Sequence, residues 1–307
     1  MTQAENCEAM ASQAALERAM VQGKILESVA VLCDSRLSLH VDLGCMEGII
    51  PREEAVWCRP GEEIKDIAVI TRVGKTVCFK VVGFEREGEV TRAVLSRRAA
   101  QRECAVNYLA GLTPGDIIPA RVTHLEPFGA FVDIGCGMPS LLSVDCISVS
   151  RISHPRDRFS GGMFIPVVVK QIDRANDRIF VSHRELLGTW EENAARFEAG
   201  QTVAGIIRSI ESYGIFVELA PNLAGLAELT DRRAPSLDLT VGRSAAVYIK
   251  SIIPERMKVK LVLIDTYSSV PNTAPPRYYI DAAEVTHIDR WRYSPATAPR
   301  VIETVFS

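Results

Sequence analysis

The sequence predicts an all-β fold with linker helices, organised as three tandem five-stranded barrels. Three observations carry this reading: an internal repeat, a strand-and-turn cadence inside each copy, and a change to helical period between copies. The stretch from Gly115 through Phe128-Gly129-Ala130-Phe131-Val132-Asp133-Ile134 matches Gly200 through Tyr213-Gly214-Ile215-Phe216-Val217-Glu218-Leu219 at a constant offset of 85 positions. Further on, Gly162, Lys170 and Arg178 align with Gly242, Lys250 and Lys258 at an offset of 80, so the later copy has lost five loop residues. A more worn copy lies upstream. There Val41-Asp42-Leu43-Gly44-Cys45 echoes Val132-Asp133-Ile134-Gly135-Cys136, and Leu37 and His40 stand at the two aromatic positions.

Each copy reads as β. Period-two or β-branched runs such as Ala120-Arg121-Val122-Thr123-His124 and residues 167–172 alternate with Gly, Pro and Asx turns. Five short strands in about 70 residues fit the OB-fold, a partly open Greek-key barrel. Between copies the period becomes helical. Residues 97–110 predict one helix, ending before Gly111 and Pro114, and Thr189 with Glu192 forms a capping box that opens a second. Residues 3–21 are Ala-rich and amphipathic, a helix either packed on the first barrel or frayed from it. Residues 268–277 are a Pro-rich breaker, after which 278–306 resume strand-like composition. The predicted division is therefore an N-terminal helix (1–21), a degenerate barrel (22–98), two further barrels (115–187 and 200–266), and a Pro-rich linker with a C-terminal β extension (267–307).

Composition narrows the function classes. With 47% hydrophobic and 24% charged residues, the 307-residue chain can bury real cores and is not disordered in bulk. A formal net charge of −3 argues against gripping duplex phosphates by electrostatics alone, but single strands can be held by base stacking on rings. No apolar run approaches the ~20 residues of a membrane span and the start lacks a secretion-signal layout, so a cytoplasmic protein without membrane contact is expected. Eight scattered cysteines without a C-x-x-C pair predict reduced, mostly buried thiols and no metal site. No cofactor is expected.

The run 115–142, centred on Phe-Gly-Ala-Phe-Val-Asp, together with 169–173 and 178–182, resembles the RNA-binding repeat of bacterial ribosomal protein S1. The third copy resembles it through 213–219 and 225–226, and the first in outline through 47–51 and 95–98, so the resemblance covers 22–266. It implies an RNA face made of two aromatics, a His on the next strand, and an Asp and an Arg near the last two strands. Carried over, those positions are Phe128, Phe131, Asp173 and Arg178 in the second copy, with Ser143 at the His position. In the third they are Tyr213, Phe216 and Lys258, with Glu228 for His and Ile253 for Asp. The implied partners are single-stranded RNA, mRNA in particular, and the small ribosomal subunit.

Residues three apart on a regular strand face opposite ways, so Phe128 and Phe131 are expected to share a face only through a distortion permitted by Gly129. The Tyr213 hydroxyl favours an exposed first position, while Phe131 and Phe216 stand between core and RNA face. His124, His154 and His183 are too dispersed for a metal or a base and are expected at surfaces or barrel ends. The 154–158 loop carries a basic pair that either flanks the RNA groove or forms a surface salt bridge. In the tail, Arg277-Tyr278-Tyr279 and Arg290-Trp291-Arg292-Tyr293 suit nucleic acid or, with more weight, rings packed on the third barrel. The leading function is sequence-tolerant binding of single-stranded RNA in translation, chiefly by the second copy, and the alternative is a protein-interaction adaptor built on the same barrels. An enzyme is not expected, because no P-loop, G-x-S-x-G or H-E-x-x-H occurs and the strand carboxylates Asp133 and Glu218 fall in separate copies without a local partner.

Overall fold

The computed structural model describes residues 3–58, 61, 63–228, 239–268 and 276–307; most of the Pro-rich 268–277 stretch lies outside them. The chain divides into two compact units, one of residues 1–112 with 135–138 and one of 113–134 with 139–307. Among the described residues the strands close into three barrels and one small sheet.

In the first unit the single helix expected over 3–21 is two, α1 (Gln3–Ala9) and α2 (Gln13–Val21). The break falls at Ser12, whose hydroxyl accepts from the Ala15 backbone N–H and starts a new helix. Both helices pack rather than fray: Ala9, Leu16 and Ala19 join the core beside Leu26 and Phe79. The barrel consists of β1 (Leu26–Cys33), β2 (Leu39–Asp42), β3 (Glu47–Ile50), then, after helix α3 (Asp66–Ile70), β4 (Thr76–Glu87) and β5 (Val90–Ser96). Its order, β1-β2-β3-β5-β4, is closed by a parallel pairing of β3 with β5. Leu26, Leu39, Ile50, Phe79 and Leu95 are fully buried inside it, each contributing about 1.5–3 kcal/mol. Helix α4 (Arg97–Asn107) is capped by Ser96 and tightens into a 3-10 turn at Leu109–Gly111, three residues short of the predicted end.

The second unit repeats the barrel twice. Strands β6 (Ile117–Glu126), β7 (Gly129–Asp133), β8 (Pro139–Ser143), β9 (Phe164–Asp173) and β10 (Arg178–Ser182) form one ring, closed by the parallel pair β8 and β10. Helix α5 (Trp190–Ala194) follows with the predicted capping box of Thr189 and Glu192 in place. Strands β11 (Thr202–Glu211), β12 (Gly214–Ala220), β13 (Leu223–Ala227), β14 (Ser244–Ile253) and β15 (Lys258–Tyr267) form the other ring, closed by β13 and β15. Among the described residues the tail adds β16 (Arg290–Arg292) and β17 (Glu303–Val305), less strand than its composition suggests. Its remaining length is spent docking.

Buried polar contacts join these two barrels. Glu218 on β12 is 5% exposed and receives Arg158 from the second barrel's long loop at 2.6 Å and Arg208 from β11 at 2.8 Å. Of the basic pair in the 154–158 loop, Arg158 is thus turned inward while Arg156 stays exposed beside His154, and Glu218 is held by cations because an ion this buried needs neighbours of opposite charge. Asn222 uses its whole amide, accepting from Val149 N and donating to the carbonyls of Arg184 and Gly188. The tail straps the pair. Ile288 N and Ile117 N bond Gly115 O and Thr286 O, Trp291 and Tyr293 enter the third barrel's core as ring packing predicts, and the Tyr293 hydroxyl donates to Asn222 O. Gly188 has φ +81°, and a Cβ there would lie 2.6 Å from the Tyr279 ring, so only glycine admits the tail at that point.

Two expectations are corrected. His183 is fully buried, not at a surface: it donates from Nδ1 to Ile147 O at 3.0 Å, accepts from the Tyr278 hydroxyl at 3.1 Å, and packs edge-on to Phe159 and Tyr278. All eight cysteines are free, but only Cys78, Cys104 and Cys146 are buried, because residues such as Cys7 fall on the outer side of their element. Among the described residues no group of three or more His, Cys, Asp or Glu is placed to hold a metal ion, and no helix is long and apolar enough to cross a membrane.

Burial holds the His183 imidazole neutral, its pKa pushed down to about 4, with the Arg158 charge acting in the same direction against the Ile147 bond. The unfolded chain therefore takes up a proton that the folded one refuses, and stability is present above the unfolded value and lost as pH falls. Lowering pH from 7 to 5 is expected to cost this unit about 2 kcal/mol in denaturant unfolding, a loss that His183→Asn abolishes. Glu218→Gln leaves Arg158 buried without its carboxylate and Arg208 with Asp157 alone, and is expected to destabilise the same unit by about 3–5 kcal/mol, read as a shift in the denaturation midpoint.

Candidate nucleic-acid interface

The repeated aromatics sit at a hairpin, not along a strand. Glu126 pairs with Gly129 across β6 and β7, so Pro127 and Phe128 form the two-residue turn; Glu211 pairs with Gly214, leaving Ser212 and Tyr213 in the same place. The expected distortion of the β7 strand at Gly129 is therefore not what brings the rings together. Phe128 is already off the strand, and the bulge lies on the facing one, between Val122 and His124 in β6 and between Ile207 and Ser209 in β11. What Gly129 does provide is clearance: a Cβ would come within 2.5 Å of Leu142 O, and at Gly214 within 2.7 Å of Ala227 O.

Both turns present the same pair of rings. Phe128 is 55% exposed and lies edge-on to half-buried Phe131, with centroids 6.0 Å apart and planes at 89°. Tyr213 is 62% exposed and meets half-buried Phe216 at 6.2 Å and 90°. In each pair the inner ring is anchored in the sheet and supports the outer one through an edge-to-face contact. The outer ring leaves a π face open to solvent.

The remaining predicted positions surround these turns unevenly. Ser143 closes β8 opposite Gly129, and its hydroxyl bonds the Asp145 carboxylate, holding that carboxyl below its usual range. Asp173 and Arg178 are directly paired across β9 and β10, as Ile253 and Lys258 are across β14 and β15. The Asp173 carboxylate, however, is turned into its own hairpin: it accepts from Asn176 Nδ2 at 2.7 Å and from the backbone N–H groups of Asn176 and Ala175, which hold its pKa low. Its part is to fasten the turn beside Arg178. Arg178 and Lys258 are exposed, as is Glu228 just after β13.

One residue escaped sequence reasoning. His124 pairs with Phe131 across the bulge, its ring 6.5 Å from that of Phe131 and tilted by 30°, with Nε2 at 2.6 Å from Glu126 Oε1. An imidazole thus stands near the inner ring from β6, whereas the carried-over position on β8 holds Ser143. Only the cross-strand register, shifted by the bulge, points to it.

The first barrel carries no such pair. At its equivalent hairpin Leu37 is left-handed with φ 62°, and His40, at the inner aromatic position, lies between Glu47 Oε1 at 2.6 Å and Asp34 Oδ2 at 3.4 Å. Arg92 bonds the other oxygen of Glu47 at 2.7 Å. This face is knitted to itself by charge.

Residues 112–184, which contain the second barrel, match the family model of the S1 RNA binding domain. The small ribosomal subunit protein bS1 of Staphylococcus aureus is 31% identical over 237 residues, 72% of this chain and 59% of that protein. The bS1 homolog of Bacillus subtilis is 33% identical over 197 residues, 62% of this chain and 49% of that one. The chain spans about half to three-fifths of the length of these curated relatives. A solved multidomain protein with nucleic acid binding domains from Streptococcus pneumoniae aligns over 81% of this chain and 76% of its own, at 15% identity and a TM-score of 0.25, too low to inform the arrangement of the barrels.

Burial alone would lower the His40 pKa, but its bonds to Glu47 and Asp34 and their charges outweigh burial and raise it. The stabilisation is complete below the unfolded imidazole value and is lost as pH rises through the folded one. The His40 ring resonance is expected to titrate above the ordinary imidazole range in NMR, and Glu47→Gln is expected to bring it down.

Proposed function

The chain belongs to the bacterial S1-like family, and on that premise we propose that it binds single-stranded RNA without strict sequence preference, serving mRNA engagement by the small ribosomal subunit in the cytoplasm. The observation that carries the proposal is the open ring at two identical hairpin turns, Phe128 over Phe131 and Tyr213 over Phe216. A ring more than half exposed at the same place in two copies, packed only along one edge, offers a ligand an open face. Each outer ring offers a stacking surface that serves any base, contributing about 1–3 kcal/mol per base. Arg178 and Lys258 stand at matching hairpins where they can meet phosphate.

The second barrel is the principal site, with Phe128, Phe131 and Arg178 joined by His124, while Ser143 and Asp173 shape its edge. The third is a helper through Tyr213, Phe216 and Lys258. Two weak sites on one body gain from effective concentration, so a strand that leaves one turn is held near the other. The first barrel is assigned no RNA contact. Its Asp34, His40 and Glu47 put two carboxylates where the rings stand elsewhere, and negative charge there opposes phosphate. A docking role for that barrel is the adaptor reading, confined to one unit. The role is binding, not catalysis.

Titration of fluorescent single-stranded RNA tests the proposal. Phe128→Ala is expected to weaken binding about 5- to 100-fold, from the free energy of one stacked base, with the fold unchanged by circular dichroism. Affinity equal to the parent protein would remove the platform, and partners retained from cell extract after ribonuclease treatment would favour the adaptor.

A further inference from the structure

The third barrel has a feature that its repeat relation does not explain. A cavity of about 480 Å³ opens beside the Tyr213 and Phe216 turn, with Phe216 in its wall. Its volume falls inside the roughly 300–1,000 Å³ range of small-ligand sites. The walls are aromatic and aliphatic, with Trp190 and Tyr293 from buried positions and Met257 and Ile302 from half-buried ones. Arg256, Lys258 and Arg300, all exposed, stand in its lining against a single acid, Glu255. None of these three cations takes part in an ion pair among the described residues, whereas Arg158, Arg208 and Arg290 are all committed to carboxylates.

The cavity is assembled from several parts of the unit, with Val149 and Ser150 from the second barrel's long loop and Trp190 from α5 beside the two main contributors. Phe216 and residues 255–258 belong to the third barrel, while Tyr293, Arg300 and Ile302 belong to the tail that straps it. Of the tail's ring-and-cation motif, Trp291 is buried in the core and Arg290 is paired with Glu303, while Tyr293 forms part of the cavity wall. What the tail brings to the surface instead is Arg300, at the rim of an apolar cavity that begins where a stacked strand would end.

We propose that this cavity is a nucleotide subsite: it receives one unstacked base of a single-stranded RNA whose neighbour stacks on Tyr213, while Arg256, Lys258 and Arg300 hold the adjoining phosphates. The chemistry of the lining matches that occupant. A base is flat, apolar on its faces and joined to an anion, and here aromatic walls adjoin unpaired cations with a net excess of two positive charges over Glu255. The C-terminal extension thereby turns the weaker copy into a two-base site and gives it a role that the barrel alone does not have. The inference rests on the RNA-binding reading of the Tyr213 turn and adds a position to it.

Two variants of the full chain separate the inference from that reading. Arg300→Ala removes an exposed cation, and Ala224→Leu narrows the cavity from β13 without changing charge; both are compared with Tyr213→Ala by anisotropy of a labelled oligouridylate across a salt series. Arg300→Ala is expected to weaken binding about 3- to 10-fold and to reduce the slope of log affinity against log salt by about 0.7, the increment for one phosphate contact on a single strand. Ala224→Leu is expected to weaken binding with the salt slope unchanged. If Tyr213→Ala binds weakly while Arg300→Ala and Ala224→Leu both bind as the parent, the subsite is overturned and the platform stands. If Tyr213→Ala binds as the parent as well, the reading beneath the subsite is overturned with it. If Ala224→Leu alters circular dichroism, Arg300→Ala at an exposed position decides alone: parent affinity and salt slope overturn the subsite, and the expected loss supports it.

Discussion

The burial of Glu218 constrains most of the second unit. A carboxylate 5% exposed to solvent cannot stay ionised without partners, and its partners come from two places: Arg158 from the preceding barrel and Arg208 from its own. Arg208 stands at the β-bulge of β11, the position that Thr123 occupies in β6, where a hydroxyl simply bonds the Phe131 carbonyl. The same backbone device therefore serves two ends. In one copy it tightens a hairpin, and in the other it aims a guanidinium into an interface. With Asn222 and the tail, this ion network makes one body of two barrels, and the two aromatic turns are carried on it together.

The aromatic turns follow a different logic, local to each hairpin. A two-residue turn lifts the outer ring off the sheet, the inner ring stays in it, and a glycine lets the next strand pass where a Cβ would strike a carbonyl. Nothing else in the barrel core needs the outer ring. Its exposure costs the fold some apolar surface in water, about 25 cal/mol per Å², which a stacked base would recover. In the first barrel the same turn lacks rings, and His40, Glu47, Asp34 and Arg92 pair with one another instead.

How much of this was legible beforehand depends on the range of the interaction. The repeat offset, the capping box at Thr189 and the ring packing of Trp291 and Tyr293 were all readable, because they rest on neighbours in sequence or on apolar pattern. The placement of Phe128 was half readable: the ring was right and the backbone wrong, since a strand bend and a two-residue turn leave the same Phe-Gly-x-Phe trace. His183 and Arg158 were not legible for one reason: their partners, Ile147 and Tyr278 for the one and Glu218 for the other, lie far away in sequence, and side-chain type alone does not reveal a distant partner.

By itself, then, the sequence determined three OB barrels, their order, the helices between them and the exposed outer rings of Phe128 and Tyr213, because repeated local patterns encode repeated local structure. Tertiary structure alone decided which charges are buried, that the second and third barrels and the tail form one unit, and that Phe216 borders a cavity shared with Arg300. Those outcomes bring together residues about 60 to 120 positions apart, such as Arg158 with Glu218 and Arg184 with Thr304. The repeat equates residues across such distances without pairing them; only the packing of barrels and tail brings them within a hydrogen bond.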